Sequence, residues 1–330
     1  MPANDQAANL VDSASLRSSG SPVGEVAGGC FCCRFSDLVD SIQMVLGCDP
    51  DIVLCESVGS CTDLAATVIN PLRLFYREIL TLAPFTAVVD PHRAKECVLG
   101  ESAPTFPEEV AYIYRKQLEE ADLIALAKVD TIPADEADRI GRSLEQRFGR
   151  PVLRCSPLRG DGIADWADRL LSAAPSGSHL LADIDYDTYA RGEAALGWLN
   201  MTAEVTGAPT FEPLSLARGV IEEMRSSCAG SAEIAHLKVA IGSGAGYTRA
   251  NLAGTDLLAD VQGAEDSRLS EGTMIVNARI AMDPGLLQEA AEHALQSAAS
   301  RSRARASVTA IRSFRPGYPR PPYRVQEVVA

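Results

Sequence analysis

The order of apolar segments in this 330-residue sequence predicts an α/β fold, with a parallel β-sheet covered by helices on both faces and a smaller α+β domain after it. Two observations carry this prediction. In the first half of the chain, short strand-like runs alternate with helical segments, which is typical of βαβ units. In the second half the order becomes β-α-β-β-β-α-β, which is compatible with a compact ferredoxin-like α+β domain.

The elements of the first half follow from apolar periodicity and from helix start and stop signals. For example, Leu38, Ile42 and Val45 lie on one helical face. Ser36 is the expected N-cap of that helix, and Gly47 is the expected stop. The predicted strands are 52–55, 86–89, 123–127 and 151–154. The predicted helices are 36–46, 64–82, 108–119, 134–148 and 163–173.

A small, turn-forming stretch at Ala173–Ser178 is the best candidate for a domain boundary. We therefore expect a first domain at 1–176, the α+β domain at 177–313 and a Pro-rich, extended tail at 314–330. In the α+β domain the predicted strands are 198–205, 233–241, 247–252, 273–281 and 307–313, and the predicted helices are 214–227 and 284–300.

Composition and charge exclude several classes of function. Apolar residues make up 46% of the chain and charged residues 22%, as in ordinary soluble proteins. A formal net charge of −14 at pH 7 argues against a nucleic-acid partner, which calls for a basic patch. No apolar run is long enough to span a membrane, and no signal-peptide pattern opens the sequence. Nine cysteines, an odd number, do not suggest a secreted disulfide framework. We expect a cytoplasmic protein that binds neither nucleic acid nor membrane.

The most informative stretch is Gly28–Cys33, in which Cys30, Cys32 and Cys33 follow a glycine pair. Thiolates clustered on a short piece of backbone are the ligands that a soft or borderline transition metal such as Zn²⁺ prefers. Three ligands leave a fourth position for water, a partner or another side chain. The alternative is that these cysteines are small buried apolar residues, but burial alone does not explain why three of them cluster.

A second informative stretch is the apolar run 52–55, which ends at Glu56 and is followed by Gly59. In a parallel sheet this order places a carboxylate at the carboxyl end of a buried strand, where ligands and their metal ions bind. The alternative is that Glu56 only favours the start of the next helix through the helix dipole.

Five short segments follow one another along about residues 4–172 in a family-specific order. They are Asn4–Gln6, Val11–Asp12, Glu25–Cys33, Glu56–Gly59 and Lys128–Asp130. In this order they resemble the CobW-type GTP-binding metallochaperones, a family that includes cobalamin-synthesis and nitrile-hydratase-activator proteins. The cysteine block is the most specific of the five, and the others gain weight from their order.

The resemblance implies a P-loop-NTPase-like first domain that binds and hydrolyses GTP with Mg²⁺. Glu56 is then the catalytic residue near Mg²⁺ or its water shell, and Gly59 lets a backbone N–H approach the γ-phosphate. Asp5 and Asp12 match the segment that switches with the bound nucleotide. Taken alone, both aspartates are merely polar residues near a chain end.

The resemblance also assigns recognition of the guanine base to Lys128 and Asp130. The aspartate accepts hydrogen bonds from the guanine N1 and N2 groups, and the lysine stem packs along the ring. The family's asparagine before the lysine is Ala127 here, which is expected to weaken guanine selectivity. Ser156 stands in the last base-contacting loop, with Pro157 in place of the commoner alanine. A Lys-x-Asp at a strand end is also common without any such role.

One motif of the family is absent from this sequence. The family carries a strand and a G-x-x-x-x-G-K-[ST] phosphate loop just before the Asn-Asp-Gln segment, and the sequence contains no such loop. We therefore expect the first strand of the sheet to be missing as well. Since the loop cradles the phosphates and holds Mg²⁺, the chain as given is expected to bind nucleotide poorly and to hydrolyse GTP negligibly.

Two functions of different classes stay open. In the first, the chain is a GTP-binding metallochaperone that delivers zinc or another divalent transition metal, held by the three cysteines, to a client metalloenzyme or cofactor-assembly protein. In the second, it is a non-enzymatic metal-binding or scaffold protein that has lost nucleotide hydrolysis. The first is favoured because Glu56, Lys128 and Asp130 have little purpose without a nucleotide. Association into a homodimer stays open.

Overall fold

The computed structural model describes residues 1–5, 10–18, 20–172, 177, 179–243, 247–264 and 266–327. It divides into two compact units, of which unit 1 combines Met1–Val58 with Glu193–Gly317, and unit 2 combines Gly59–Gly192 with Tyr318–Ala330. This division is not sequential, unlike the domain limits expected at 176 and 313, which stay a prediction. Most of the predicted boundary stretch, residues 173–176 and 178, lies outside the described residues.

Helices and strands alternate along most of the chain. The α-helices are α1 Val11–Ser18, α2 Phe35–Leu46, α3 Asn70–Tyr76, α4 Pro91–Arg93, α5 Glu108–Glu120, α6 Ala134–Phe148, α7 Ile163–Leu171, α8 Tyr186–Ala194, α9 Pro213–Cys228 and α10 Pro284–Arg301. The strands are β1 Pro2–Asp5, β2 Gly24–Ala27, β3 Thr86–Val89, β4 Leu123–Leu126, β5 Val152–Arg154, β6 Gly197–Phe211, β7 Ile234–Gly242, β8 Tyr247–Leu252, β9 Asp260–Gln262, β10 Leu269–Ile280 and β11 Ala304–Phe314. Two π-helices, Ala65–Ile69 and Ala94–Leu99, and a 3₁₀ turn, Val129–Thr131, complete the set.

Unit 2 contains the predicted parallel sheet, with strand order β3-β4-β5. Ile124 and Leu126 of β4 face one side, where they are fully buried against apolar residues of α5, α6 and the second π-helix. Ala125 and Ala127 face the other side and pack near Ile163 of α7. The parallel sheet flanked by helices is therefore confirmed, because apolar residues on both faces of β4 require cover on both sides.

Unit 1 contains the predicted α+β region. Its six-stranded sheet has the order β11-β6-β10-β7-β8-β9, and its neighbouring strands are antiparallel. Helices α9 and α10 cover one face and form a large core with alternate residues of the strands. On the other face α1 packs through Val11 and Ala14 against Ala240 and Ile275. No helix among the ten described is long and apolar enough to cross a membrane.

The expectations for the start of unit 1 are partly wrong. Residues 52–55 form no strand, and Ile52 and Leu54 are about half exposed, because only Glu56 bridges to a neighbouring strand, at Ala3 of β1. The actual strands here are β1 and β2, which pair in parallel. Helix α2 begins at Phe35, so Ser36 lies inside it and is not the N-cap.

Candidate metal centre and nucleotide-binding residues

The three clustered cysteines lie in the turn between β2 and α2. Gly28 has a φ of 85°, a left-handed conformation that favours glycine and lets the chain leave the strand sharply. The Cys30 carbonyl then accepts hydrogen bonds from the N–H groups of Cys33 (3.0 Å) and Arg34 (2.9 Å). These bonds close one helical turn, so the side chains of Cys30, Cys32 and Cys33 project from the same short loop.

The three sulfur atoms converge within 4.8 Å of one another. The Sγ atoms of Cys30 and Cys32 are 2.8 Å apart, and those of Cys32 and Cys33 are 3.8 Å apart. Two thiolates on one tetrahedral zinc ion lie ~3.8 Å apart, given Zn–S bonds of ~2.3 Å. The second distance therefore fits a shared ion as it stands, whereas the first pair must separate by about 1 Å to bind the same ion. Within the described part of the chain, no other group of three or more His, Cys, Asp or Glu side chains lies close enough together to share an ion.

The three cysteines differ in how far they are buried. Cys30 and Cys32 are 1% and 2% exposed, whereas Cys33 is half-buried. None of the three forms a disulfide bond in the described part of the chain. Soft thiolates bind Zn²⁺ or Cu⁺, and three of them leave a coordination position open, so the donor set fits a transition metal with one further ligand.

The side chain of Asn4 holds this turn in place. Its Nδ2 donates to the carbonyls of Val26 (2.9 Å) and Gly29 (2.8 Å). Its Oδ1 accepts from the N–H groups of Phe31 (2.8 Å) and Val58 (3.4 Å). The sequence indicates Asn4 only as part of a motif, and its structural role depends on contacts that span up to 54 residues.

Glu56 lies beside β1 in unit 1, with its N–H donating to the Pro2 carbonyl at 3.1 Å. The residue as a whole is exposed, but neighbouring groups remove water from its carboxyl and raise its pKa, and the negative charge of Asp12 raises it further. Lys238 opposes this rise and forms an ion pair with Asp12 (Nζ to Oδ2, 2.5 Å). The structure thus places two predicted functional carboxylates, Asp12 and Glu56, within electrostatic range of the same lysine.

Asp5, the other predicted switch residue, is buried and forms an ion pair with Arg279 of β10. The Arg279 guanidinium also stacks 3.9 Å from the centre of the Trp198 ring. Burial lowers the pKa of Arg279, and the charge of Asp5 opposes that change. In this conformation Asp5 therefore serves the packing of unit 1.

The predicted base-recognition residues lie together in unit 2, at the carboxyl end of β4. Lys128 adopts a left-handed conformation with a φ of 55°, which turns the chain into the 3₁₀ turn that carries Asp130. The Ser156 side chain hydrogen-bonds to the Asp130 carboxylate and lowers its pKa. Ser156 is buried, and its N–H donates to the Asp161 carbonyl at 2.9 Å. A fixed carboxylate with a lysine two residues before it is the arrangement expected for a guanine site.

Gly59 is exposed and lies at the start of unit 2, where Gln117 Nε2 donates to its carbonyl at 2.8 Å. The site residues therefore fall into two groups by unit. Asp5, Asp12, Glu56 and the cysteines belong to unit 1, and Gly59 belongs with Lys128, Asp130 and Ser156 to unit 2.

A buried carboxyl cluster that the sequence did not indicate follows Gly59. Glu120, at the end of α5, accepts from Thr62 Oγ1 (2.9 Å) and the Ala65 N–H (3.0 Å), and burial raises its pKa to about 8. Asp63, which has a φ of 63°, accepts from Tyr186 Oη at 2.7 Å. These carboxyls come from distant parts of the chain, so only the fold reveals them.

Comparison with known proteins agrees with the motif order. The family model for the CobW/HypB/UreG nucleotide-binding domain matches residues 3–150. No curated protein matches the chain. Two solved structures are similar, each with 14% identity over 86% of this chain and 80% of the other. They are a Zn(II)-bound triple mutant of YjiA GTPase (TM-score 0.31) and Zn(II)-bound YjiA GTPase from E. coli (TM-score 0.29). Over residues 3–150 the chain is thus similar in sequence to the CobW/HypB/UreG nucleotide-binding domain.

Proposed function

We propose that this protein is a GTP-binding metallochaperone that holds a transition metal, zinc or a similar divalent ion, on Cys30, Cys32 and Cys33 and delivers it to a client metalloenzyme or cofactor-assembly protein. The convergence of three thiols within 4.8 Å in one turn is the observation that carries the proposal. The family match over residues 3–150 supports the nucleotide part.

The difference in burial among the three thiols is compatible with transfer of the metal ion to a client. Cys30 and Cys32 anchor the ion inside the turn, and the half-buried Cys33 is the ligand that an incoming client thiolate or imidazole reaches first. With a fourth position open, the client ligand binds before Cys33 leaves, so the ion is never without ligands.

The guanine base is recognised by Asp130, with the stem of Lys128 along its ring. The ionised Asp130 carboxylate accepts hydrogen bonds at both oxygens, whereas protonation would turn one of them into a donor. Ser156 keeps the pKa of that carboxyl low and so keeps it ready to accept from the N1 and N2 groups of guanine. Glu56 and Gly59 serve the phosphate and Mg²⁺ end of the nucleotide, and Asp5 and Asp12 respond to the nucleotide state.

The side chain of Asn4 connects the segment proposed to contact the nucleotide with the turn proposed to bind the metal. Its Oδ1 accepts from Phe31, inside the cysteine turn, and from Val58, inside the Glu56–Gly59 segment. A movement of that segment on nucleotide binding changes one of the bonds that hold the thiol turn. Metal affinity then depends on the nucleotide bound.

The test is a zinc titration of the full chain with and without GTP and Mg²⁺, using a competing chelator. The wild type is expected to bind one zinc ion. Because the sequence lacks the phosphate loop and nucleotide binding is expected to be weak, GTP is supplied in large excess, and at that concentration it is expected to shift the zinc affinity. Asp130→Asn, which loses the acceptor pair for guanine, should abolish the shift and leave zinc binding in the absence of GTP unchanged. Asp135→Asn, in the first turn of α6, is the matched control and should behave as the wild type.

Zinc binding that is unchanged by GTP in every variant would support the alternative, a metal-binding protein without nucleotide chemistry. Failure to bind zinc through the cysteines would contradict both functions.

A further inference from the structure

The C-terminal segment Tyr323–Glu327 lies along the helical segment that follows Gly59 in unit 2. Arg324 Nε donates to Oδ2 of the buried Asp63 at 2.7 Å, and Arg324 Nη2 donates to the Leu181 carbonyl at 2.9 Å. The Tyr323 ring packs on Phe75, with 5.3 Å between ring centres. The segment is thus held by an ion pair, by contact between two aromatic rings and by hydrogen bonds.

The C-terminal segment donates a hydrogen bond to a carbonyl of the π-helix that no N–H of the helix itself can reach in the π-helical register. In the π-helix Ala65–Ile69 the Asn70 N–H donates to the Ala65 carbonyl, five residues back. The next carbonyl, that of Ala66, would take its bond from residue 71 in the same register. Residue 71 is proline and carries no N–H. The Val325 N–H occupies this position instead, at 2.8 Å from the Ala66 oxygen.

A second hydrogen bond joins the helical segment to the C-terminal segment. Asn70 Nδ2 donates to the Glu327 carbonyl at 3.0 Å. In an ordinary α-helix the Asn70 N–H would bond to the Ala66 carbonyl, four residues back. The Val325 N–H and the Asn70 N–H therefore compete for one acceptor, and the bound tail favours the π-helical register.

We propose that residues Tyr323–Glu327 form a latch that holds Ala65–Ile69 in the π-helical register, and that release of the latch moves this segment to the α-helical register. The latch is a switch built into unit 2, and it acts on the helix that begins a few residues after Gly59. It depends on neither metal nor nucleotide, so its failure would leave the proposed function untouched.

Amide hydrogen exchange of the full chain tests the latch, because exchange reports local opening. Arg324→Ala removes the ion pair with Asp63 and should speed exchange in residues 64–76 about tenfold while leaving the six-stranded sheet of unit 1 unchanged. Arg320→Ala removes a charge from the same tail and should not speed exchange there. Equal exchange in the two variants, or a uniform increase throughout the chain, would overturn the latch.

A double-mutant cycle tests the register itself. Val325→Pro removes the N–H that bonds to Ala66 and should speed exchange in residues 64–76 about as much as Arg324→Ala does. Pro71→Ala supplies a residue-71 N–H that can bond to Ala66 in the π-helical register. In the Pro71→Ala background, Val325→Pro should therefore have little effect. An equal effect of Val325→Pro in both backgrounds would show that the tail does not set the register.

Discussion

Three thiols in one short turn can bind one ion together only if the backbone of the turn is rigid. The Asn4 side chain fixes this backbone through four hydrogen bonds. The sequence predicted the cysteines as ligands, because three soft donors in four positions rarely arise from packing alone. It could not predict how the turn is held, because the Asn4 partners lie up to 54 residues away. Residue types indicate candidate ligands, whereas the contacts that hold those residues in place depend on the fold.

Cys32 lies between its two neighbours in the sulfur cluster, at 2.8 Å from Cys30 and 3.8 Å from Cys33. We expect Cys32→Ser to weaken zinc binding at least about tenfold, since a hydroxyl is a far poorer ligand than a thiolate. Chelator competition measures the change. Cys48→Ser, at an exposed cysteine outside the cluster, is the control and should bind zinc as the wild type does.

Asn4→Ala should weaken zinc binding without removing a ligand. It leaves buried backbone groups without their partners, and we expect a loss of about 2 kcal/mol in the free energy of unfolding. Denaturant titration and zinc competition measure the two effects. Asn251→Ala, at a half-buried asparagine in β8, is the comparison. Undiminished zinc affinity in Asn4→Ala would show that the turn holds itself.

At the scale of single elements, strong periodicity was a reliable guide. Helix 134–148 and strands 86–89 and 247–252 have the predicted limits, because each combines a clear apolar pattern with turn residues at its ends. The predicted strand 52–55 is wrong because an apolar run becomes a strand only when a neighbour supplies hydrogen bonds. Strand β1, Pro2–Asp5, has no strand pattern and forms through its pairing with β2.

The end of α5 carries a prediction about pH. Burial raises the pKa of Glu120 to about 8 from an ordinary value of 4.5, so the folded state holds a proton that the unfolded chain releases. The associated stability is fully present below pH 4.5 and is lost as the pH rises towards 8. We expect the wild type to lose about 2 kcal/mol more than Glu120→Gln between pH 6 and pH 8.

Denaturant titrations at several pH values measure this difference. Glu119→Gln, at the partly exposed neighbouring residue, is the matched control and should keep the pH dependence of the wild type. A pH dependence that survives in Glu120→Gln would assign it to another group.

At the scale of the whole molecule, unit 1 combines segments that lie far apart in the sequence. The first 58 residues group with the C-terminal six-stranded sheet in unit 1. The buried ion pair between Asp5 and Arg279 joins these two parts of the chain across 274 residues. Such a contact leaves no trace in local patterns, which explains why fold class could be predicted and the grouping of segments could not.

Arg279→Leu should destabilise unit 1 strongly, because it leaves the Asp5 carboxylate buried without its partner. We expect a loss of about 3–5 kcal/mol in the free energy of unfolding, measured by denaturant titration. Arg301→Leu breaks an exposed ion pair with Glu223 in the same unit and should cost less than about 1 kcal/mol. Similar losses in the two variants would mean that the Asp5 pair does not hold the unit together.

The central claim is that Cys30, Cys32 and Cys33 together bind one metal ion. X-ray absorption at the zinc edge of the zinc-loaded full chain tests it most directly, because it counts the sulfur ligands and measures their distance. We predict three sulfur atoms at about 2.3 Å and one lighter ligand, with the sulfur signal lost in a variant that has serine at all three positions. A first shell of nitrogen and oxygen alone, or a sulfur signal that persists in the triple-serine variant, would contradict the claim.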